Sequence, residues 1–164
     1  MPVATPFTTT DAMARVLADT NIWLRVADPG SAHHPAAVAA IALLLGSGHD
    51  VCLCPQNLIE FWAVATRPVA ANGLGWNRVQ AATELSGLEA RFTLIPETPD
   101  IFARWKQLVS HADVHGKRTH DARLVAVCLS QDLDALLTFN VGDFTSFPQV
   151  RTLDPNRPDE WNLA

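Results

Sequence analysis

The chain has 164 residues, 48% of them hydrophobic and 18% charged. That length suits one domain, and the apolar content excludes disorder as the overall state. Twelve Lys and Arg against seventeen Asp and Glu give a formal charge of −5, which argues against a protein that coats duplex nucleic acid through bulk positive charge. The longest apolar run, Ala36 to Leu45, has ten residues, about half of the roughly 20 a membrane-spanning helix needs. The N-terminus has no basic stretch leading into an apolar one, so no secretory signal is expected. Cys52, Cys54 and Cys128 form an odd set with no disulfide framework and no two-residue spacer. They read as small packing residues of a reduced compartment, the cytoplasm.

In chain order, residues 1–13 are rich in Thr, Pro and Ala and are expected to form a flexible tail. Arg15–Ala18 is a first strand, ending at Asp19, and Thr20 to Val26 reads as a short helix. Pro35 to Leu45 is a helix stopped by Gly46-Ser47-Gly48. Val51–Cys54 is a second strand, and Pro55 suits the first turn of a helix that runs to Thr66. Asn72–Gly75 is a loop, Trp76 to Ala90 a helix, and Phe92–Ile95 a third strand. Ile101, Phe102, Trp105, Leu108 and Val109 mark one face of an amphipathic helix. His115–Thr119 reads as a loop and Asp121–Ser130 as a helix. Ala135–Thr138 and Val150–Leu153 are the last strands, and residues 156–164 a C-terminal tail. Strands alternating with helices predict a parallel sheet covered by helices, with ligands beyond the carboxyl ends of its strands.

Acids lie at those ends. Asp19 follows the first strand directly, Glu60 sits in an apolar helix after the second, Asp121 opens a late helix, and Asn140 and Asp143 follow the 135–138 strand. In a parallel sheet these groups can converge. Clustered carboxylates without counter-charge repel one another, and hard divalent cations such as Mg²⁺ or Mn²⁺ relieve the repulsion through oxygen ligands. An ion so held can activate water and stabilise in-line displacement at phosphorus. Each acid also has an ordinary reading. Asp19-Thr20-Asn21 can cap a helix, Asp121 can favour a helix dipole, Asp143 can turn the chain, and Glu60 can face solvent.

In their order and spacing these residues resemble the PIN domain family, and most closely the VapC-type toxins of toxin–antitoxin pairs. The matching stretches are Asp19-Thr20-Asn21-Ile22, Glu60 in its apolar helix, His120-Asp121-Ala122-Arg123-Leu124, and Thr138, Asn140, Asp143 and Phe144. The likeness spans residues 15–155, which frames one domain over 14–155. It implies a three-layer α/β/α fold with a central parallel sheet and Mg²⁺- or Mn²⁺-dependent endoribonuclease activity. It also implies a homodimer and an antitoxin partner that covers the site. Asp19, Glu60, Asp121 and Asp143 would then hold the metal, directly or through water, with Asn140 assisting. Asn140 stands where some members carry Asp, which lowers the carboxylate count available to a second metal. The alternative is a catalytically silent module of the same fold that binds RNA or protein without cutting.

His115, Lys117, Arg118, His120 and Arg123 surround Asp121 and are candidates for gripping an RNA backbone. Among the tryptophans, Trp62 and Trp105 read as core, while Trp23 and Trp76 are open to a subunit interface or a partner groove. No glycine-rich phosphate loop or nucleophile elbow is present. Setting aside the four candidate acids leaves the chain nearly neutral, so its acidity does not oppose a nuclease whose positive charge arrives as a metal ion.

Overall fold

A computed structural model describes residues 13–163. The tail expected over residues 1–13 therefore lies, apart from Met13, outside the described residues. Five parallel strands form one sheet: β1 (Arg15–Ala18), β2 (Asp50–Leu53), β3 (Thr93–Leu94), β4 (Ala135–Leu137) and β5 (Thr152–Leu153), in the order β3-β2-β1-β4-β5. Successive residues of a strand face opposite sides of a sheet, and here both sides are apolar. Val16, Ala18, Val51, Leu53, Ala135 and Leu137 point to one core, and Leu17, Cys52 and Leu136 to the other.

The first core is closed by α1 (Thr20–Ala27), α2 (His34–Gly46), α3 (Pro55–Ala65) and α4 (Arg78–Arg91). The second is closed by α5 (Pro99–His111) and α6 (Arg118–Ser130). This is the three-layer α/β/α arrangement expected from the alternation of elements. The chain changes faces between β3 and β4, so the boundary between β1 and β4 is the topological switch point, where open parallel sheets bind ligands. No helix among the described residues is long and apolar enough to cross a membrane. The three cysteines are buried and unpaired in the second core. Burial pushes the Cys52 thiol up to about 12 and the Cys54 thiol to about 11.

Several local expectations are corrected. Trp23 is fully buried, packs on Phe92 at 4.6 Å between ring centroids, and donates its indole N–H to the Ala18 carbonyl at 3.0 Å; it has no surface to offer a partner. Trp76 precedes α4 rather than starting it. Asn77 caps that helix reciprocally with Gln80, each side chain accepting from the other's backbone N–H at 2.9–3.0 Å. The helix carrying Asp121 begins at Arg118, so the last two residues of the expected 115–119 loop are helical and Asp121 lies within the first turn. Residues 156–163 fold back onto the domain. Trp161 is buried in the first core and donates to the Asp154 carbonyl at 2.8 Å, and the Arg151 guanidinium binds the carbonyls of Trp161 and Asn162.

Candidate active site

Asp19 is the N-cap of α1, held at the end of β1 by its backbone N–H, which donates to the Leu137 carbonyl of β4 at 2.9 Å. Its side chain is only 7% exposed. Oδ1 accepts from the Thr20 N–H at 2.7 Å, and Oδ2 accepts from Asn21 Nδ2 at 3.0 Å and from the Thr138 hydroxyl at 2.7 Å. The ordinary capping role is thus real, yet it leaves the carboxylate at the switch point with only neutral donors around it.

Glu60 projects from α3 toward the same place. Its Oε2 accepts from the Thr20 hydroxyl at 2.7 Å and its Oε1 from Gln56 Nε2 at 2.9 Å. Asn57, fully buried, donates to Thr20 Oγ1 at 3.2 Å and accepts the Cys54 N–H at 2.9 Å. Asp121 enters from α6, and Asp143 and Asn140 from the turn after β4, where a 3-10 segment spans Val141–Phe144. The Asp121 and Asp143 carboxylates accept no hydrogen bond from any described residue. Thr20, Asn21, Glu60, Asp121, Asn140 and Asp143 share the walls of one cleft of about 340 Å³, and buried Asp19 is hydrogen-bonded to Thr20 and Asn21 of that wall.

The electrostatics record this crowding. Burial, then the nearby Asp121 and Glu60 charges, push the Asp19 carboxyl up to about 6 against the pull of its hydrogen bonds from Thr138 and Thr20. Burial, then Asp143 and Glu60, push Asp121 up to about 6 as well, with Arg118 and Lys117 opposing. Among the described residues no three Asp, Glu, His or Cys side chains close around a single point. The arrangement is an open, oxygen-lined cleft rather than a tetrahedral cage. Histidines 111, 115 and 120 do not gather into a zinc-type site.

The basic residues around Asp121 divide. Arg118 Nη2 donates to the Asp143 carbonyl at 2.9 Å and to Ser146 Oγ at 3.1 Å, and its buried Nε–H has no partner. Arg123 reaches Gln56 and Glu97, and His115 pairs with Asp113 at 2.6 Å on the surface. Only Lys117 and His120 of that group face the cleft. Sequence reasoning missed Arg67 at the opposite rim, and it missed the buried amides of Gln56 and Asn57. The available signal for the amides was two polar residues in the first turn of a helix at a strand's carboxyl end. Arg67 is placed by a tight return of the chain: a Cβ on Gly73 would lie 2.0 Å from the Arg67 carbonyl oxygen.

The model of the PIN domain family matches residues 16–148, and the chain belongs to that family. No curated protein matches it in sequence. Among solved structures it is similar to a chain of VapBC2 from Rickettsia felis bound to a promoter DNA fragment, with TM-score 0.65 and 14% identity over 85% of this chain and 98% of that one. A chain of VapBC-1 from nontypeable Haemophilus influenzae gives 0.63 and 17% over 87% and 98%. VapC20 of Mycobacterium tuberculosis, a sarcin-ricin loop cleaving toxin, gives 0.58 and 18% over 80% and 95%. At these identities the likeness is one of fold.

Proposed function

We propose that the protein is a divalent-metal-dependent endoribonuclease acting as the toxin of a toxin–antitoxin pair. The observation that carries the reading is the convergence of Glu60, Asp121 and Asp143, from three separate elements, on one cleft at the switch point, with buried Asp19 bonded to Thr20 and Asn21 of its wall. Among the described residues the one ion pair at the cleft sets His120 Nδ1 3.9 Å from Glu60 Oε1, and Arg118 and Lys117 offset the charge of Asp121 only in part.

The donor set fits Mg²⁺ or Mn²⁺. It is all oxygen, two of its members bind protons unusually tightly because they are buried and then because other acids lie nearby, and two accept no hydrogen bond from the described chain. Mg²⁺ keeps several waters and takes one or two carboxylates directly, which suits an open cleft better than the closed cage zinc prefers. Asp121 and Asp143 are the candidates for direct ligands, and Asp19, Glu60 and Asn140 for ligands through water. The bound ion would supply an activated water and offset negative charge at phosphorus. The chain's own part is to fix the acids, to keep Asp19 largely out of solvent, and to present Lys117, His120 and Arg67 at the rim to the RNA backbone.

The VapBC complexes among its structural neighbours support an antitoxin as partner; a homodimer as the working form and the cytoplasm as the place of action are part of the same proposal. The likeness to VapC20, a sarcin-ricin loop cleaving toxin, supports a structured RNA loop as substrate. The test incubates purified protein with structured RNAs with and without Mg²⁺ or Mn²⁺. Metal-dependent cleavage, lost in Asp19→Asn, and growth arrest on expression, relieved by Asp121→Ala, are the expected results. Intact RNA with both metals at high protein, and no arrest, would leave a silent RNA- or protein-binding module of the same fold.

A further inference from the structure

Gln56 is only 6% exposed although it is polar and lies in the first turn of α3. A buried amide is costly unless its donors and acceptor are all used, and here they are. Nε2 donates to Glu60 Oε1 at 2.9 Å and to the His120 carbonyl at 2.9 Å, while Oε1 accepts from Arg123 Nη1 at 3.1 Å. Arg123 is in turn fixed by Glu97 Oε2 at 2.7 Å.

This pattern permits one amide orientation. Rotating the amide by half a turn would set its oxygen against a carboxylate and a carbonyl, and its NH₂ against a guanidinium, replacing three attractive contacts by three repulsive ones. Arg123, a charged donor that cannot lose its proton, therefore selects the orientation in which Gln56 must donate to Glu60. The other Glu60 oxygen is held from the far side by the Thr20 hydroxyl at 2.7 Å. The same Gln56 nitrogen grips the carbonyl of His120, the residue before Asp121, so one side chain ties α3 to the start of α6 across the cleft.

We propose that Gln56, locked by Arg123, is a positioning residue that holds Glu60 at a fixed place opposite Asp121 and thereby sets the affinity of the cleft for its divalent ion. The inference rests on the metal-dependent reading above. Gln56 touches neither substrate nor ion and acts through the carboxylate it orients. Partners of this kind are worth a factor of about 10 to 100 in metal affinity in other metal sites.

The test is a Mn²⁺ titration of the metal-free protein, followed by loss of the free-ion EPR signal, with thermal unfolding run in parallel. Gln56→Met keeps the length of the side chain and removes both donors; it should weaken Mn²⁺ binding by about tenfold or more while unfolding cooperatively. Arg123→Met, which frees the amide to rotate, should weaken it in the same direction by a smaller factor. Arg151→Met cuts the C-terminal anchor outside the cleft and should lower stability with Mn²⁺ affinity unchanged, separating positioning from general loosening. If Gln56→Met does not fold, Arg123→Met carries the test and must show a loss of at least about threefold, still well short of a full second-layer effect. Wild-type protein that binds Mn²⁺ while Gln56→Met binds it within a factor of about two overturns this inference alone. Wild-type protein that takes up no Mn²⁺ overturns the metal reading and this inference with it.

Discussion

The Thr138 hydroxyl donates to Asp19 Oδ2 at 2.7 Å, joining the end of β4 to the end of β1 across 119 residues of chain. Thr138 Oγ1 itself accepts from Asn21 Nδ2 at 3.1 Å and from the Asn140 N–H at 3.0 Å, and Thr138 is fully buried. Thr138→Val keeps the shape and strips the hydroxyl, leaving three polar groups each short of a partner. An unsatisfied buried group costs about 1–3 kcal/mol, so a destabilisation of about 2–3 kcal/mol is expected in urea unfolding. Thr138→Ser, which keeps the hydroxyl, should stay within about 1 kcal/mol of wild type. A Val variant as stable as wild type would show that the three bonds contribute nothing net.

A second prediction concerns pH. The folded-state pKa of Asp19 is about 6 against an ordinary value of 3.8. Between those values the folded protein binds more protons than the unfolded one, so stability must fall as pH rises through the window. The favourable contribution is complete below about 3.8 and lost above about 6. For Asp19 alone the full window is worth about 3 kcal/mol, of which about 1 kcal/mol falls between pH 5 and pH 7.5. Asp121 acts with the same sign over the same range. The metal-free protein should therefore resist urea better at pH 5 than at pH 7.5, and Asp19→Asn should flatten the difference. Saturating Mn²⁺ at pH 7.5 should restore the stability that the charged cleft removes.

Much of this arrangement is legible in the sequence, and the parts that are not share a cause. Strands β1, β2 and β4 show themselves as short apolar runs ending in turn or polar residues, and the acids follow because the side of a parallel sheet that binds ligands is fixed by topology. Trp23 could not be placed, because an amphipathic indole looks alike at an interface and in a core; only Ala18 offering a carbonyl and Phe92 a ring, far away in the chain, decide it. The start of α6 was hidden because Arg118, Thr119 and His120 carry no apolar periodicity. Their bonds to Asp143, Ser146 and Trp105 are long-range. The cations of that segment read alike in sequence, yet two turn inward and two face the cleft, a distinction made by partners on α3 and on the turn after β4.

Arg118 supplies the third prediction. Its Nη2 is the link between α6 and the backbone of Asp143, at 2.9 Å, and it also reaches Ser146 Oγ at 3.1 Å. Without it the 141–144 turn has no tie to α6 through this side chain, and the Asp143 carboxylate loses its fixed distance from Asp121. Arg118→Met should slow RNA cleavage by about tenfold, in line with the loss of a group that supports a ligand. Arg118→Lys should recover little, since a single ammonium lacks the planar fork that meets two acceptors at once. Equal rates in all three proteins would show that the turn holds its place unaided.

The last prediction separates the rim from the floor of the cleft. Arg67 and Lys117 line its mouth and make no ion pair among the described residues, whereas Arg118 and Arg123 are engaged within the fold. Cations that contact phosphates release counterions, and each contact contributes about 0.7 to the slope of log binding constant against log salt for single strands. In an Asp121→Asn background, which should bind RNA without cutting it, Arg67→Gln and Lys117→Gln should each lower that slope by about 0.7. Lys106→Gln, on α5 and away from the cleft, should leave it unchanged. Slopes that do not respond to Arg67 or Lys117 would move the RNA path off this rim and leave the acidic floor to bind its substrate through the metal ion alone.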